Sequence, residues 1–233
     1  MNKAVRGILI AGIVAGVVIL PAMRGKVSVP VTQAAVVDEA MRRETDKFNS
    51  HATDSAIALL HTGDVVLRMG IGADSYLLSE LSHRDKRFSH CGIVVIEDGK
   101  PWVYHSIGGE DNPDERLRRD PASFFFSPLH NTAISIVRYD NSKEQAERLT
   151  GIVKEYYAAR PKFDMKFDLA TDDKLYCSEF VYKAFNKAMK DTGYFTTTKG
   201  FRGRYVAIDD LYINPHAAMV FQIKFKQYLY HQN

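Results

Sequence analysis

The most regular apolar pattern in the chain predicts a β-hairpin in its middle third. A β-branched run from Cys91 to Ile96 is followed by Asp98-Gly99, a pair of residues typical of a type I′ turn. Trp102 to His105 then supplies an apolar return segment. Because a two-residue turn fixes how the flanking strands pair, this segment also predicts a register.

Counting back from the turn places two histidines on the same face of this hairpin. Gly92 faces His105, and strand alternation puts His90 on the same side as Gly92. Diagonal neighbours of this kind are about 7–8 Å apart, which two imidazole rings can bridge. Gly92 leaves the space between them empty. Cys91 points to the other face with Trp102, so packing is predicted for it.

Two histidines on one face of a sheet need not be catalytic. They could form part of a metal site, but no carboxylate falls into the same register, and no metal is predicted. They could also be hydrogen-bonded histidines with a structural role. The hairpin pattern alone leaves both alternatives open beside a catalytic one.

A second apolar pattern predicts a helix that begins close to Cys177. Its apolar positions recur at helical spacing and are Phe180, Val181, Ala184, Phe185, Ala188 and Met189. Cys177 falls on the same stripe, and Asp172 or Asp173 is the predicted N-cap. Free N–H groups at a helix start favour a thiolate over a thiol, as a nucleophile requires. The alternative is that Cys177 is a small core residue.

The remaining patterns predict a mixture of strands and helices. Ser142 and Gln145 form a capping box before a helix that reaches about Ala159. Phe124-Phe125-Phe126 could line a substrate groove or pack in the core. The other predicted elements are strands at 65–68, 133–139 and 219–225, helices at 36–48 and 74–82, and loops at 84–87, 108–129, 162–173 and 191–204.

The amino terminus resembles a membrane-targeting segment. An uncharged run from Gly7 to Met23 is preceded by Lys3 and Arg6 and followed by Arg24 and Lys26. The run is long for a signal peptide and short for a membrane span, and it lacks a clear cleavage site, which favours an uncleaved anchor. Basic residues at both ends leave the orientation open.

These patterns divide the chain into three parts and predict its location. They are a signal anchor or transmembrane segment at 1–26, a linker with an amphipathic helix at 27–58, and a globular domain at 59–233. The predicted location is a single-pass membrane protein whose globular domain is periplasmic or extracellular.

Composition argues against several classes of function. The chain has 233 residues, 45% of them hydrophobic and 25% charged, as in a globular protein. Its net charge of +3 and the lack of a clustered basic face argue against a nucleic-acid partner. Cys91 and Cys177 do not form a disulfide framework or a zinc motif, although they could pair in an oxidising compartment. No cofactor is predicted.

Three short motifs resemble those of a known family. They are Thr62-Gly63-Asp64, the segment from Phe88 to Gly92, and the segment from Tyr176 to Val181. Their order is similar to that in permuted papain-like amidases of the YaeF/YiiX type, which belong to the NlpC-type cysteine peptidase superfamily. The resemblance runs from about Leu60 to about Met189 and includes Lys162-Phe163-Asp164.

The resemblance implies that residues 59–233 form a hydrolase domain with an α+β fold, a circularly permuted papain-like domain with an antiparallel sheet packed against helices. It implies Cys177 as nucleophile and His90 as general base. The residue that orients the base would be His105, at a position that looks like a glutamate in close relatives. The backbone N–H of Cys177 and the Tyr176 hydroxyl would stabilise the oxyanion.

The function implied is a membrane-anchored cysteine amidase or peptidase that acts on cell-envelope peptides or acyl amides through a Cys-His-His acyl-enzyme mechanism. A lipid acyltransferase or acyl hydrolase is an alternative, since related permuted folds handle acyl chains. A non-catalytic module that binds acyl lipids is a third hypothesis. The oligomeric state is left open.

Overall fold

The computed structural model describes residues 31–109, 112, 114–200 and 203–227. The chain divides at Asp38 into two units, and the second, Glu39–Asn233, contains every element from β1 onward. The elements are α1 (Val31–Ala58), β1 (Val65–Gly70), α2 (Ala73–Ser79), β2 (His90–Glu97), β3 (Lys100–His105), β4 (Arg118–Pro121), α3 (Ala122–Phe125), β5 (Asn131–Tyr139), α4 (Lys143–Ala159), α5 (Cys177–Met189), β6 (Thr198–Gly200), β7 (Gly203–Tyr205), α6 (Ile208–Tyr212) and β8 (Ala217–Lys224).

A six-stranded antiparallel sheet in the order β4-β3-β2-β1-β5-β8 forms the centre of the second unit. Helices α4 and α5 bury their apolar sides against one face, which carries Cys91, Ile93 and Val95. The end of α1 and helix α3 cover the other face, which carries Val94 and Val103. The predicted antiparallel sheet packed against helices is therefore confirmed.

The hairpin β2–β3 has the predicted register. Val95 pairs with Trp102 and Ile93 pairs with Tyr104. Both turn residues adopt positive φ, 49° at Asp98 and 73° at Gly99, as a type I′ turn requires. The dipeptide was a reliable signal because few residues other than Asn, Asp and Gly adopt that conformation at low cost.

The Thr62-Gly63-Asp64 motif closes one end of the sheet. The buried Asp64 carboxylate accepts two hydrogen bonds of 2.8 Å from the Arg138 guanidinium of β5. The Thr62 hydroxyl accepts the Ile96 N–H at 2.9 Å. The motif thus joins β1, β2 and β5, and its contacts are structural.

Several predicted boundaries are wrong. The predicted loop at 108–129 contains β4 and α3, and the predicted loop at 191–204 contains β6 and part of β7. These elements have three or four residues each, too few to show a period of alternation. The helix predicted at 36–48 extends from Val31 to Ala58.

The predicted membrane anchor at 1–26 lies outside the described residues. Within the described part of the chain, no helix combines the length and the apolar character that a membrane crossing needs.

Candidate active site

Two histidines and an aspartate form a buried chain of hydrogen bonds on one face of the sheet. His90 Nε2 lies 2.9 Å from His105 Nδ1, and His105 Nε2 lies 3.0 Å from Asp120 Oδ2. The other carboxylate oxygen, Asp120 Oδ1, accepts a hydrogen bond of 2.9 Å from Arg118. The prediction that His90 and His105 share one face is confirmed, and they contact each other directly.

Local packing accounts for the closeness of the two rings. A Cβ atom at Gly92 would lie 3.0 Å from the Cβ of His105 and 2.8 Å from the Tyr104 carbonyl oxygen, so a larger residue would force the strands apart. The Phe125 ring covers both imidazoles, with centroids 5.7 Å from His90 and 5.3 Å from His105. The pair is thereby shielded from water.

Burial and neighbouring groups determine the protonation states of His90, His105 and Asp120. Burial lowers the pKa of His90 well below the ordinary value of 6.5, and the nearby Arg68 and His105 lower it further. Burial also lowers the pKa of His105, although the bond to Asp120 opposes this shift. Burial raises the pKa of Asp120, but its bonds to His105 and Arg118 outweigh that effect and leave the pKa lowered. Near neutral pH, two neutral imidazoles therefore adjoin a carboxylate.

These charge states assign the tautomers. An ionised Asp120 can only accept, so His105 donates from Nε2, and its Nδ1 then accepts. His90 must donate from Nε2 to that nitrogen, which leaves His90 Nδ1 as an unprotonated acceptor. The hydrogen-bonded chain therefore leaves an unprotonated nitrogen at His90 Nδ1.

We expect the two buried histidines to make stability depend on pH. Their folded pKa values are lowered, so the unfolded chain binds more protons below about pH 6.5. The free energy of unfolding should have its full value above that pH. It should fall as the pH decreases toward the lowered pKa values of the two histidines in the folded state. Urea unfolding between about pH 7.5 and about pH 5.5 measures this. The double variant His90→Asn, His105→Asn should flatten the slope; an equally steep slope in that variant would contradict the assignment.

Helix α5 begins at Cys177, as predicted, but its N-cap is Tyr176. The Glu179 carboxylate accepts the Tyr176 backbone N–H at 3.2 Å. Asp172, one of the two predicted caps, instead binds the Lys183 ammonium at 2.6 Å. The cap prediction was wrong because a residue in the first turn of the helix supplies the carboxylate.

The predicted approach of Cys177 to the face of His90 is wrong. Helix α5 packs on the opposite face, where Cys177 and Cys91 belong to one core cluster and Cys177 is 9% exposed. No hydrogen bond between Cys177 and His90 occurs among the described residues. Cys91, which contacts Cys177, is nonetheless the residue next to His90 on β2. Both cysteines are free thiols.

The two thiols influence each other's ionisation. A hydrogen bond from the Cys91 side chain lowers the pKa of Cys177, against the raising effect of burial. Burial, followed by the interaction with Cys177, raises the pKa of Cys91 well above 9.0. Cys91 therefore remains a protonated donor, and Cys177 is the thiol that ionises.

We expect Cys91→Ala to raise the pKa of Cys177, because the variant removes the largest cause of its lowering. The rate of Cys177 alkylation by iodoacetamide should then reach half its maximum at a higher pH than in the wild type. The decrease in the rate of Cys177 alkylation at neutral pH should be small. An unchanged pH profile would show that Cys91 only packs, as the sequence predicted.

Tyr176 joins the start of α5 to the segment before α6. Its buried hydroxyl accepts the Val206 N–H at 2.8 Å, and the Ser178 hydroxyl donates to the Val206 carbonyl at 2.7 Å. Burial raises the pKa of Tyr176, so the phenol stays protonated. The predicted oxyanion role of this hydroxyl stays a prediction, and its observed contact is structural.

Comparison with known proteins identifies the family of the chain. The profile of the permuted papain-like amidases, the YaeF/YiiX or C92 family, matches residues 59–202. The chain belongs to this family. It is 27% identical over 130 residues to the uncharacterised protein YiiX of Escherichia coli K12, an alignment that covers 55% of this chain and 58% of that protein.

A crystal structure from Escherichia coli O157:H7, described as that of the metalloprotein yiiX, has a similar fold. Its TM-score is 0.58 at 20% identity, and the match covers 70% of this chain and 98% of the crystallised one. The matched family is described as one of permuted papain-like amidase enzymes. The predicted family and enzyme class are confirmed.

Sequence reasoning missed two residues that contact His90 or His105. Asp120 lies on β4, a four-residue strand that alternation could not reveal, although its partner Arg118 pairs with His105 in the register. Phe125 was noted only as part of a run of three phenylalanines. Phe125 and Phe126 are buried, as core packing predicts, whereas Phe124 is 46% exposed. Asp120 falls in a segment predicted as a loop, so its acidic side chain was the only signal that the sequence offered.

Proposed function

We propose that this protein is a cysteine amidase or peptidase in which Cys177 is the nucleophile and His90 is the general base. The observation that carries the proposal is the buried chain from His90 through His105 to Asp120, which leaves an unprotonated nitrogen on His90. Cys177 begins a helix and has a lowered pKa, the second requirement of a thiol nucleophile.

The proposed reaction has two stages. The Cys177 proton passes to His90 Nδ1, and the thiolate attacks the carbonyl carbon of an amide. The backbone N–H of Cys177, one of the unpaired donors of the first helical turn, stabilises the oxyanion. His90 then protonates the leaving amine, and a thioester remains on Cys177. Water, deprotonated by His90, hydrolyses that thioester and releases the acid.

The proposal requires Cys177 and His90 to come closer than they are here. Because α5 packs on the opposite face of the sheet from the histidine chain, substrate binding would have to move the start of α5 or the His90 side chain to bring the two groups together. His105 and Asp120 hold the tautomer of His90 in the meantime, since the two rings and the carboxylate accept and donate in only one consistent pattern.

Trapping the acyl-enzyme tests the proposal. The purified protein is mixed with separate pools of cell-envelope peptides, acyl amides and phospholipids, quenched in acid and weighed intact. We expect an added acyl mass on Cys177 from a peptide or amide pool. A mass gained only from phospholipids would favour lipid acyl transfer, and no adduct from any pool under conditions where the protein is folded would count against catalysis.

A metal has no part in this proposal. The related Escherichia coli structure is described as a metalloprotein. In the described part of this chain, no group of three or more His, Cys, Asp or Glu side chains is arranged to hold a metal ion. The facing nitrogens of His90 and His105 are occupied by each other. We therefore derive no step through a metal.

Membrane anchoring through residues 1–26 is also part of the proposal, supported by the uncharged run Gly7–Met23. We expect the full chain to sediment with membranes and resist extraction by salt and alkali, and a chain that starts at residue 27 to stay in the supernatant. Fractionation with an amino-terminal sequence check measures both. A full-length chain with an intact amino terminus in the supernatant would contradict the anchor.

A further inference from the structure

A cavity of about 740 Å³ opens beside the start of α5. We call it the α5 cavity and define it by its main lining side chains, which are Leu81, Lys166, Phe167, Leu169, Arg204 and Tyr205. None of these residues belongs to the histidine chain or to the cysteine pair.

Two wall residues of the α5 cavity connect it to Tyr176, the N-cap of α5. On one side, the Phe167 ring packs on the Tyr176 ring with centroids 4.9 Å apart, and Tyr176 directly precedes Cys177. On the other side, Tyr205 precedes Val206, whose N–H is bound by the Tyr176 hydroxyl at 2.8 Å. The cavity therefore lies beside Tyr176, the residue that directly precedes the proposed nucleophile.

Phe167 is held in the cavity wall against its backbone preference. Its φ is 55°, in the left-handed region that a bulky residue rarely adopts. The buried Asp164 carboxylate enforces this turn, since it accepts the N–H groups of Lys166 at 2.9 Å and of Asp168 at 2.6 Å. Strain of this kind is typically retained at ligand-binding positions. It also gives Asp164, in the Lys162-Phe163-Asp164 motif, a positioning role.

The lining combines an apolar surface with excess positive charge. Leu81, Phe167 and Leu169 supply apolar surface. The Lys166 ammonium has no hydrogen bond or ion pair within the described ranges, and Arg204 bonds only to Thr197, a neutral partner. One acidic residue, Asp168, lines the cavity as well, and it accepts the Ala170 N–H. Two cations against one anion favour a ligand with negative charge.

We propose that the α5 cavity binds an apolar segment of the substrate that carries an anionic group, such as a carboxylate. The apolar part packs on Phe167, and the anionic group pairs with Lys166. This inference rests on the proposed function, because it takes Cys177 as the nucleophile that the bound segment approaches.

Two alkylating probes of equal chain length test the inference. They are 6-(iodoacetamido)hexanoic acid, which ends in a carboxylate, and N-hexyl iodoacetamide, which ends in a methyl group. We expect the acid to alkylate Cys177 about fivefold faster, the upper end for one partly exposed ion pair. Lys166→Glu should reverse the preference. Lys224→Glu makes the same change in charge on the exposed edge strand β8 and should leave the preference intact.

Phe167→Gly supplies a second readout, since glycine accepts the positive φ and so keeps the turn. It should slow both probes by a similar factor while the preference for the acid persists. Equal rates for the two probes in the wild type, or the same change from Lys166→Glu and Lys224→Glu, would overturn the inference alone. Alkylation of Cys177 no faster than that of free cysteine by either probe would overturn the proposed function and this inference with it.

Discussion

Cys177→Ser lowers amide hydrolysis by on the order of 10⁴-fold or more, the scale on which removal of a covalent nucleophile acts. A serine hydroxyl of nearly the same volume keeps the packing of the α5 start, but its proton is far harder to remove. The lowered pKa that the hydrogen bond from Cys91 gives the thiol has no counterpart in an alcohol. The measurement is release of amine from whichever pool yields the acyl-enzyme.

Folding must be separated from chemistry in this experiment. Cys177 lies in the main core cluster, so the melting temperature of Cys177→Ser should be compared with that of wild type. We expect a small shift, because Cys and Ser differ little in size. Turnover within tenfold of wild type in a folded variant would remove Cys177 as the nucleophile. Full loss of activity with a mass adduct still forming elsewhere would assign the nucleophile to another residue.

The hairpin shows what sequence could predict. Asp98-Gly99 fixed both the turn and the register, and the register placed His90 and His105 together. This worked because a two-residue turn leaves one pairing, and one pairing determines the face of every side chain. The capping box of Ser142 and Gln145 was equally predictable, because both of its hydrogen bonds are local in sequence.

The position of Cys177 shows what sequence could not predict. Helical periodicity identified the buried stripe of α5, but it contains no information on which face of the sheet receives that stripe. Both faces are covered by helices, so the strands are apolar on both sides. Two tertiary contacts are not specified by local sequence patterns. They are the contact between Cys177 and Cys91 and the hydrogen bond between His105 and Asp120.

His90→Ala should lower the rate by about 10²- to 10⁴-fold, the usual contribution of a general base. The variant removes the one imidazole nitrogen that the tautomers leave as an acceptor. His51→Ala removes an exposed histidine of α1 and is the matched control, for which we expect no change. Because His90 is buried, His90→Gln serves as a second variant that keeps a polar group if the alanine unfolds the protein.

His105→Ala distinguishes a catalytic dyad from a longer chain. His105 touches no reacting atom in the proposed reaction and acts by holding His90, so its loss should lower the rate less than the loss of His90. It should also change the pH profile, since His105 both lowers the pKa of His90 and fixes its proton on Nε2. Asp120→Asn should follow the same trend, because an amide can donate to His105 Nε2 and so reverse the tautomer of each ring in turn. A His105→Ala variant with wild-type rate and pH profile would reduce the machinery to Cys177 and His90, and a His90→Ala variant with wild-type rate would remove the base.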